Sequence, residues 1–238
     1  LFSPGWISAD LKVGDSVTLD GALNPETVPT ALRFAELSAG DRAASVPETL
    51  KKSIDLYIVK RDDLKTVIAG YPWFLDWGRD TFIFMRGMIA AGMTEDALKI
   101  LLAFASFEEN GTLPNIIYGK TAGNRDTTDA QLWFVRCVQE ISSCLPSSVS
   151  SPQVLLGLRK TCESIVNNYI KGTPNGIHMD PESGLVWSPS HFTCMDTNYP
   201  ACTPRVGYPV GIQAICISAL RFFGRNELAQ LAIESLRN

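Results

Sequence analysis

Residues 70–87 read GYPWFLDWGRDTFIFMRG and place Tyr71, Trp73, Phe74 and Trp77 beside Asp76, Arg79 and Asp80. Such a mixture suits a sugar: an aromatic face stacks on the C–H face of a pyranose, while carboxylates and a guanidinium fork hydrogen bonds to its hydroxyls. It equally suits a helix entry with core aromatics and an Arg79–Asp80 surface pair. A second block, GNRDTTDAQLWF at 123–134, sets Arg125, Asp126 and Asp129 ahead of Trp133. Carboxylates at a helix start favour the positive end of the dipole, which accounts for one of the two acids; both acids with Arg125 also make a hydroxyl-binding set.

The third block, MDPESGLVWSPSHFTCMDTNYP at 179–200, interleaves Asp180, Glu182 and Asp196 with Trp187, His191, Phe192 and Tyr199. A carboxyl group held among rings is poorly solvated, stays protonated more readily and can donate to a leaving oxygen. Asp196 has the most apolar company, with Phe192 and Met195 before it and Tyr199 after it. The alternative is a loop whose acids cap turns. Other chemistries fit less well. His178, His191, Cys194 and Cys202 match no common zinc spacing. Gly119-Lys120-Thr121 resembles the end of a phosphate loop, but Pro114 stands where its glycine is required. No G-x-S-x-G elbow occurs.

The elements that must position these blocks are helical. PETLKKSIDLYIV puts Leu50, Ile54, Tyr57 and Ile58 on one stripe. WGRDTFIFMRGMIAAG is a nearly all-apolar second helix. TEDALKILLAFASF is a third, with Thr94 as its expected cap and Glu95 and Asp96 at its positive end. TTDAQLWFVRCVQEIS is a fourth, with Ala130, Phe134, Cys137, Val138 and Ile141 in register. PQVLLGLRKTCESIVNNYI, YPVGIQAICISALRFFG and NELAQLAIESL follow, with Gly224 as the stop between the last two. A long turn-rich stretch, 171–209, separates the fifth from the sixth, and loops of that length are usually functional. In residues 1–46, SVTLDGALN reads as a strand and turn and TALRFAEL as a short helix. This segment is expected to be a connector or the tail of an upstream domain. The expected fold class is all-α, with helical hairpins in a toroid whose rim loops gather over a pocket.

Bulk properties narrow the function further. The 238 residues are 45% hydrophobic and 19% charged, with a net charge of −4. Without a long basic block, a nucleic-acid partner is not expected. No run approaches the roughly 18 apolar residues of a membrane span, so no membrane partner is expected either. The six cysteines, Cys137, Cys144, Cys162, Cys194, Cys202 and Cys216, lack short paired spacings. Several fall in helical apolar patterns, which reads as core packing in a reducing, cytoplasmic setting.

Taken in order, AGYPWFLDWGRDTFIFMRG, RDTTDAQLWF, GIHMDPESGLVWSPSHFTCMD and NYPACTPRVGYPVGIQA resemble the amylo-α-1,6-glucosidase module of glycogen debranching enzymes, in the form found in bacteria and archaea. The resemblance implies an (α/α)6 toroid of the six-hairpin glycosidase type for residues 47–238. It implies an inverting hydrolase that removes the single α-1,6-linked glucose at a trimmed branch point of glycogen or a limit dextrin. Asp196, in Phe192-Thr193-Cys194-Met195-Asp196, takes the place of the family's general acid. Tyr71, Trp73, Asp76, Trp77, Arg79, Asp80, Arg125, Asp129, Trp187, His191 and Arg205 are the expected glucose contacts. No metal or organic cofactor is expected, because proton transfer and oxocarbenium stabilisation suffice.

The family's base lies late in the barrel, in a Glu-x-x-Asp-Gly-type segment absent here. The expectation is therefore an N-terminal part of the barrel, with the base beyond Asn238. Local departures are Cys194 where the family has Trp, Cys202 where it has Gly, and Val206 and Gly211 where it has Glu. A non-catalytic glucan-binding remnant and a glucoamylase-like α-glucan hydrolase are the competing readings.

Overall fold

The spacing of apolar residues explains most of the architecture. A computed structural model describes residues 10, 12–17, 46–145, 152–197 and 203–237. Contacts divide the chain into two units, Leu1–Lys51 and Lys52–Asn238. In the first, the described residues form an exposed turn in which Asp15 and Lys12 bond each other through backbone and side chain, and the start of a helix. The strand and helix expected within residues 16–37 lie almost wholly outside the described residues.

Seven helices carry the described structure: α1 (Val46–Asp55), α2 (Gly78–Ala90), α3 (Thr94–Ala105), α4 (Asp129–Cys144), α5 (Pro152–Lys171), α6 (Val210–Phe222) and α7 (Asn226–Arg237). In α2 the buried positions Gly78, Thr81, Phe82, Met85, Met88 and Ile89 recur with the helical period. Helix α4 is buried on more sides, and it packs against α2, α3, α5 and α6. Its Phe134 ring meets Phe82 edge-on at 5.4 Å, and Phe82 meets Phe104 of α3 at 4.8 Å. These three rings, all fully buried, join the helices on which the site is built. Gly224 ends α6 at φ 69°, with Gly224 N–H on Arg221 O and Arg225 N–H on Leu220 O, the paired bonds of a Schellman stop.

Helices carry most of the described structure, as the all-α expectation has it, and among the described residues three small antiparallel sheets, which the sequence did not show, accompany them. They pair β1 (Ile58–Arg61) with β2 (Leu64–Val67), β3 (Asp76–Trp77) with β4 (Ile116–Tyr118) and β4 with β5 (Thr121–Ala122), and β6 (His178–Met179) with β7 (Val186–Trp187). The first helix accordingly stops at Asp55 rather than running through Ile58. Ile58 and Val59 are β-branched and find Val67 and Thr66 across a two-residue loop. Leu50 and Tyr57, placed on a core stripe by their spacing, are exposed. Thr94 is also not a cap: Met93 precedes α3, and no side chain bonds its first amides. Gly119-Lys120 is the tip of the β4–β5 hairpin.

Three of the cysteines, Cys137, Cys162 and Cys216, pack in the core, where burial raises their thiol pKa values, that of Cys216 to about 12. Cys144 and Cys194 are exposed, and Cys202 lies outside the described residues. Among the described residues no helix is long and apolar enough to cross a membrane.

Gly111 is the tightest backbone approach. At φ 78°, a Cβ there would lie 2.2 Å from Asn168 Cβ on α5. Gly111→Ala is expected to destabilise the fold by about 2 kcal/mol or more through overpacking and left-handed backbone strain. A fall in the urea midpoint at unchanged slope would register it, and an unchanged midpoint would refute the close approach.

Candidate functional site

A buried guanidinium organises the three sequence blocks. Arg79, in the first turn of α2, donates from Nε to Asp129 Oδ2 at 2.6 Å and from Nη1 to Asp196 Oδ2 at 2.9 Å. Arg79 and Asp129 are almost fully buried, whereas the Asp196 side chain keeps 32% of its exposure. Burial opposes the charge on Arg79, but the hydrogen bond and charge of Asp129, then those of Asp196, outweigh it and raise the pKa. The third nitrogen, Nη2, is buried with no partner among the described residues.

Asp129 is held on both oxygens, since Thr127 Oγ1 donates to its Oδ1 at 2.9 Å while accepting from Ala130 N–H. The same α4 entry anchors the loop that carries Asp196. Thr128 N–H donates to Phe192 O at 2.6 Å, and Thr128 Oγ1 shares a hydrogen bond with Ser188 Oγ at 2.8 Å. Buried Tyr169 of α5 donates its hydroxyl to Thr128 O. From the other side, Ser188 and Gly207 exchange two backbone bonds, and His191 N–H reaches Pro204 O at 2.9 Å. His191 is thereby held at φ 65°, a left-handed conformation uncommon outside glycine. Gln213 of α6 grips the strand before this loop, accepting from Val186 N–H and donating to Val186 O.

Around Asp196 lies a cavity of about 390 Å³, lined among others by Trp77, Asn115, Asp126, His191 and Phe192. It draws on all three blocks and adds Asn115, just ahead of β4. Of the residues singled out by sequence, Trp77, Asp126, His191, Phe192 and Asp196 line it; Arg79 and Asp129 do not, being joined to Asp196 by the ion pairs, and Arg79 borders a different cavity with Asp80. The ring company of Asp196 is thinner than its neighbours in sequence suggest: Phe192 and Trp77 share the cavity, Met195 is exposed, and Tyr199 lies outside the described residues.

The other residues are not among those that line this cavity. Asp76 is buried and ion-paired with Arg61 at 2.6 Å, which fastens β3 to the β1–β2 hairpin; Arg61 also donates to Gly119 O. Arg125 donates to the carbonyls of Thr112 and Phe107 and pairs with Glu109, bracing the turn after α3. Trp73 is 83% exposed, and Tyr71 is an exposed ring set edge-on to Tyr57. Trp187 packs between His178 and Tyr208. Arg205, exposed at φ 50°, reaches Cys194 Sγ at 3.5 Å. Asp180 closes its own turn through Ser183 and Glu182, as the turn-capping alternative has it.

Asp80 borders a second, more apolar cavity of about 350 Å³ with Tyr57, Ile83 and Phe84. Desolvation there raises its carboxyl pKa. Its own backbone N–H and Arg79 act against that rise, and Asp196 and Asp129 add to it. Sequence reasoning passed over Asn115 because a lone asparagine between Pro114 and an apolar strand matches no motif.

These geometries converge with a comparison of sequences. A family model described as amylo-alpha-1,6-glucosidase matches residues 52–235. The chain belongs to the amylo-alpha-1,6-glucosidase family. A curated relative, a glycogen debranching enzyme of Saccharomyces cerevisiae, is 25% identical over 227 residues, covering 69% of this chain and 15% of the relative. The chain thus spans well under a quarter of the length of that relative. Family membership extends over all three blocks and over the helices that hold them, α2, α4, α5 and α6.

The two ion pairs differ in what their loss should cost. Asp129→Asn leaves a buried guanidinium underneutralised and is expected to destabilise by about 3–5 kcal/mol. Asp196→Asn breaks a partly exposed contact and is expected to cost no more than about 1 kcal/mol. Denaturant midpoints of the two variants, measured side by side, check the order, and equal losses would contradict it. At Asp80 the folded-state pKa is raised, so its contribution to stability is fully present below the ordinary carboxyl value and is lost as pH rises through the folded one. Asp80→Asn should therefore raise the melting temperature at pH ~7 and converge on the parent below pH ~4. A gap that widens on acidification would overturn the assignment.

Proposed function

We propose that this chain carries the glucose-binding part of a debranching glycosidase that hydrolyses single α-1,6-linked glucosyl stubs on glycogen-like glucans. The observation that carries this reading is the place of Asp196, which lines one cavity with Trp77 while pairing with Arg79, itself held by Asp129. Family membership supports it, as does the similarity to the yeast glycogen debranching enzyme. In the proposed step, Asp196 gives its proton to the bridging oxygen as the C1–O6 bond breaks. Water adds to C1 from the opposite face and loses its proton to a carboxylate base. The products are free glucose of inverted anomeric configuration and a glucan shortened by that residue. The reading includes an (α/α)6 ring of helical hairpins, a branched α-glucan as partner and a cytoplasmic setting.

A second reading, a glucan-binding module without turnover, draws support from the Arg79 contact, which already engages Oδ2 of the proposed acid. Hydrolysis of a singly branched limit dextrin separates the two. A form of the protein that also supplies the carboxylate base is the parent for this test: it is expected to release glucose that appears first as the β-anomer, and Asp196→Asn to lower the rate by about 10²–10⁴-fold while retaining glucan binding. Glucan binding with no release from the parent protein would favour the binding module. Faster release from linear α-1,4 chains than from branched ones would point to a glucoamylase-like hydrolase. An Asp196→Asn variant of near-parental rate would remove Asp196 from the mechanism.

A further inference from the structure

Thr128 stands at the N-cap of α4, where a threonine hydroxyl ordinarily bonds a backbone amide in the first turn. Here it bonds none of them. Its Oγ1 instead meets Ser188 Oγ at 2.8 Å, and both residues are wholly buried. Thr128 grips the same loop a second time, its N–H donating to Phe192 O at 2.6 Å. Among the described residues, that carbonyl is the last backbone group before Asp196 bonded to another element. Thr128 is itself pinned from α5. Tyr169, 1% exposed, donates its hydroxyl to Thr128 O at 2.7 Å, and burial holds its pKa well above the ordinary value, so the hydroxyl stays a donor.

The next residue, Asp129, holds Arg79, which in turn holds the Asp196 carboxylate. Two consecutive residues therefore reach the acid by separate routes, one through the loop and one through the ion pairs. Thr128 is too deeply buried to touch a ligand, so its influence on the reaction passes through Asp196. Proton transfer requires donor and acceptor about 2.6–3.2 Å apart, and a misplacement of about 1 Å can cost on the order of 10²-fold. We infer that the Thr128–Ser188 hydroxyl pair, anchored by Tyr169, sets Asp196 at the distance from which it protonates the bridging oxygen. The inference rests on the hydrolysis proposed above and adds to it three positioning residues.

The test compares two substrates on the form of the protein that also supplies the carboxylate base. The leaving oxygen of a singly branched limit dextrin needs a proton, whereas α-D-glucosyl fluoride releases fluoride without one. Thr128→Val and Ser188→Ala each remove one hydroxyl of the pair. Ser188 Oγ also bonds Pro189 O at 3.3 Å, so Thr128→Val leaves it a partner. Both variants are expected to lower kcat on the dextrin about tenfold at unchanged KM, the effect of one lost hydrogen bond, and to keep the parental rate on the fluoride. Tyr169→Phe should show the same split. Thr128→Ser, which keeps the hydroxyl, should keep both rates, and Thr128→Val should add no further loss to Asp196→Asn.

Equal losses on the two substrates would overturn the inference by reducing the pair to a contact of the fold. Parental rates on both in Thr128→Val and Ser188→Ala would also overturn it and leave the proposed hydrolysis standing. A parent inert toward the dextrin would bring down the hydrolysis and the positioning role together.

Discussion

A guanidinium removed from water demands acceptors, and Arg79 finds them for two of its three nitrogens in carboxylates drawn from two distant parts of the chain. Desolvating the ion would be prohibitive without them. The arrangement therefore constrains far more than one side chain. It sets the rotation of α2 against α4, because Nε must face Asp129. It also sets the height of the loop above them, because Nη1 must face Asp196. The asymmetry of the two pairs follows from burial. Asp129 is sealed in and doubly bonded, so it acts as the fixed end, whereas Asp196 retains access to the cavity.

The sequence Thr127-Thr128-Asp129 shows how much a helix entry can organise. Thr128, at the N-cap position, bonds none of the first amides through its side chain, and it is Thr127 Oγ1 that accepts from Ala130 N–H. One hydroxyl steadies the buried carboxylate, the next holds Ser188, and the Thr128 backbone takes bonds from Tyr169 and gives one to Phe192. Small hydroxylated residues suit this crowded place because they pair in several directions without needing space.

Much of this architecture was legible beforehand, and the reasons for success and failure are physical. The helices were readable because a one-sided apolar stripe repeats over three or more turns, as in Phe82, Met85 and Ile89 or Phe134, Val138 and Ile141. The hairpins were not, because strands of two to four residues give too few alternations to outweigh a neighbouring helical pattern. Ile58 fits either period until its partner Val67 is known. The site was readable to the level of its three blocks, but composition says nothing about which way a ring or charge faces. Trp73 and Trp77 look equivalent in sequence, yet one is exposed and the other lines the cavity. Asp76 and Arg125 looked like hydroxyl ligands, and their charges are used on Arg61 and on carbonyls in the frame. Arg79 and Asp80 were candidates for a mutual pair, whereas Arg79 turns to more distant acids.

The loop bearing Asp196 is tied down at Ser188, His191 and Phe192 by partners from two different sides. The conformational entropy of residues 188–192 is therefore surrendered during folding, before any ligand arrives. Recognition on such a preorganised surface gives up little further freedom, so the few contacts a small, strongly hydrated molecule can make are retained as affinity.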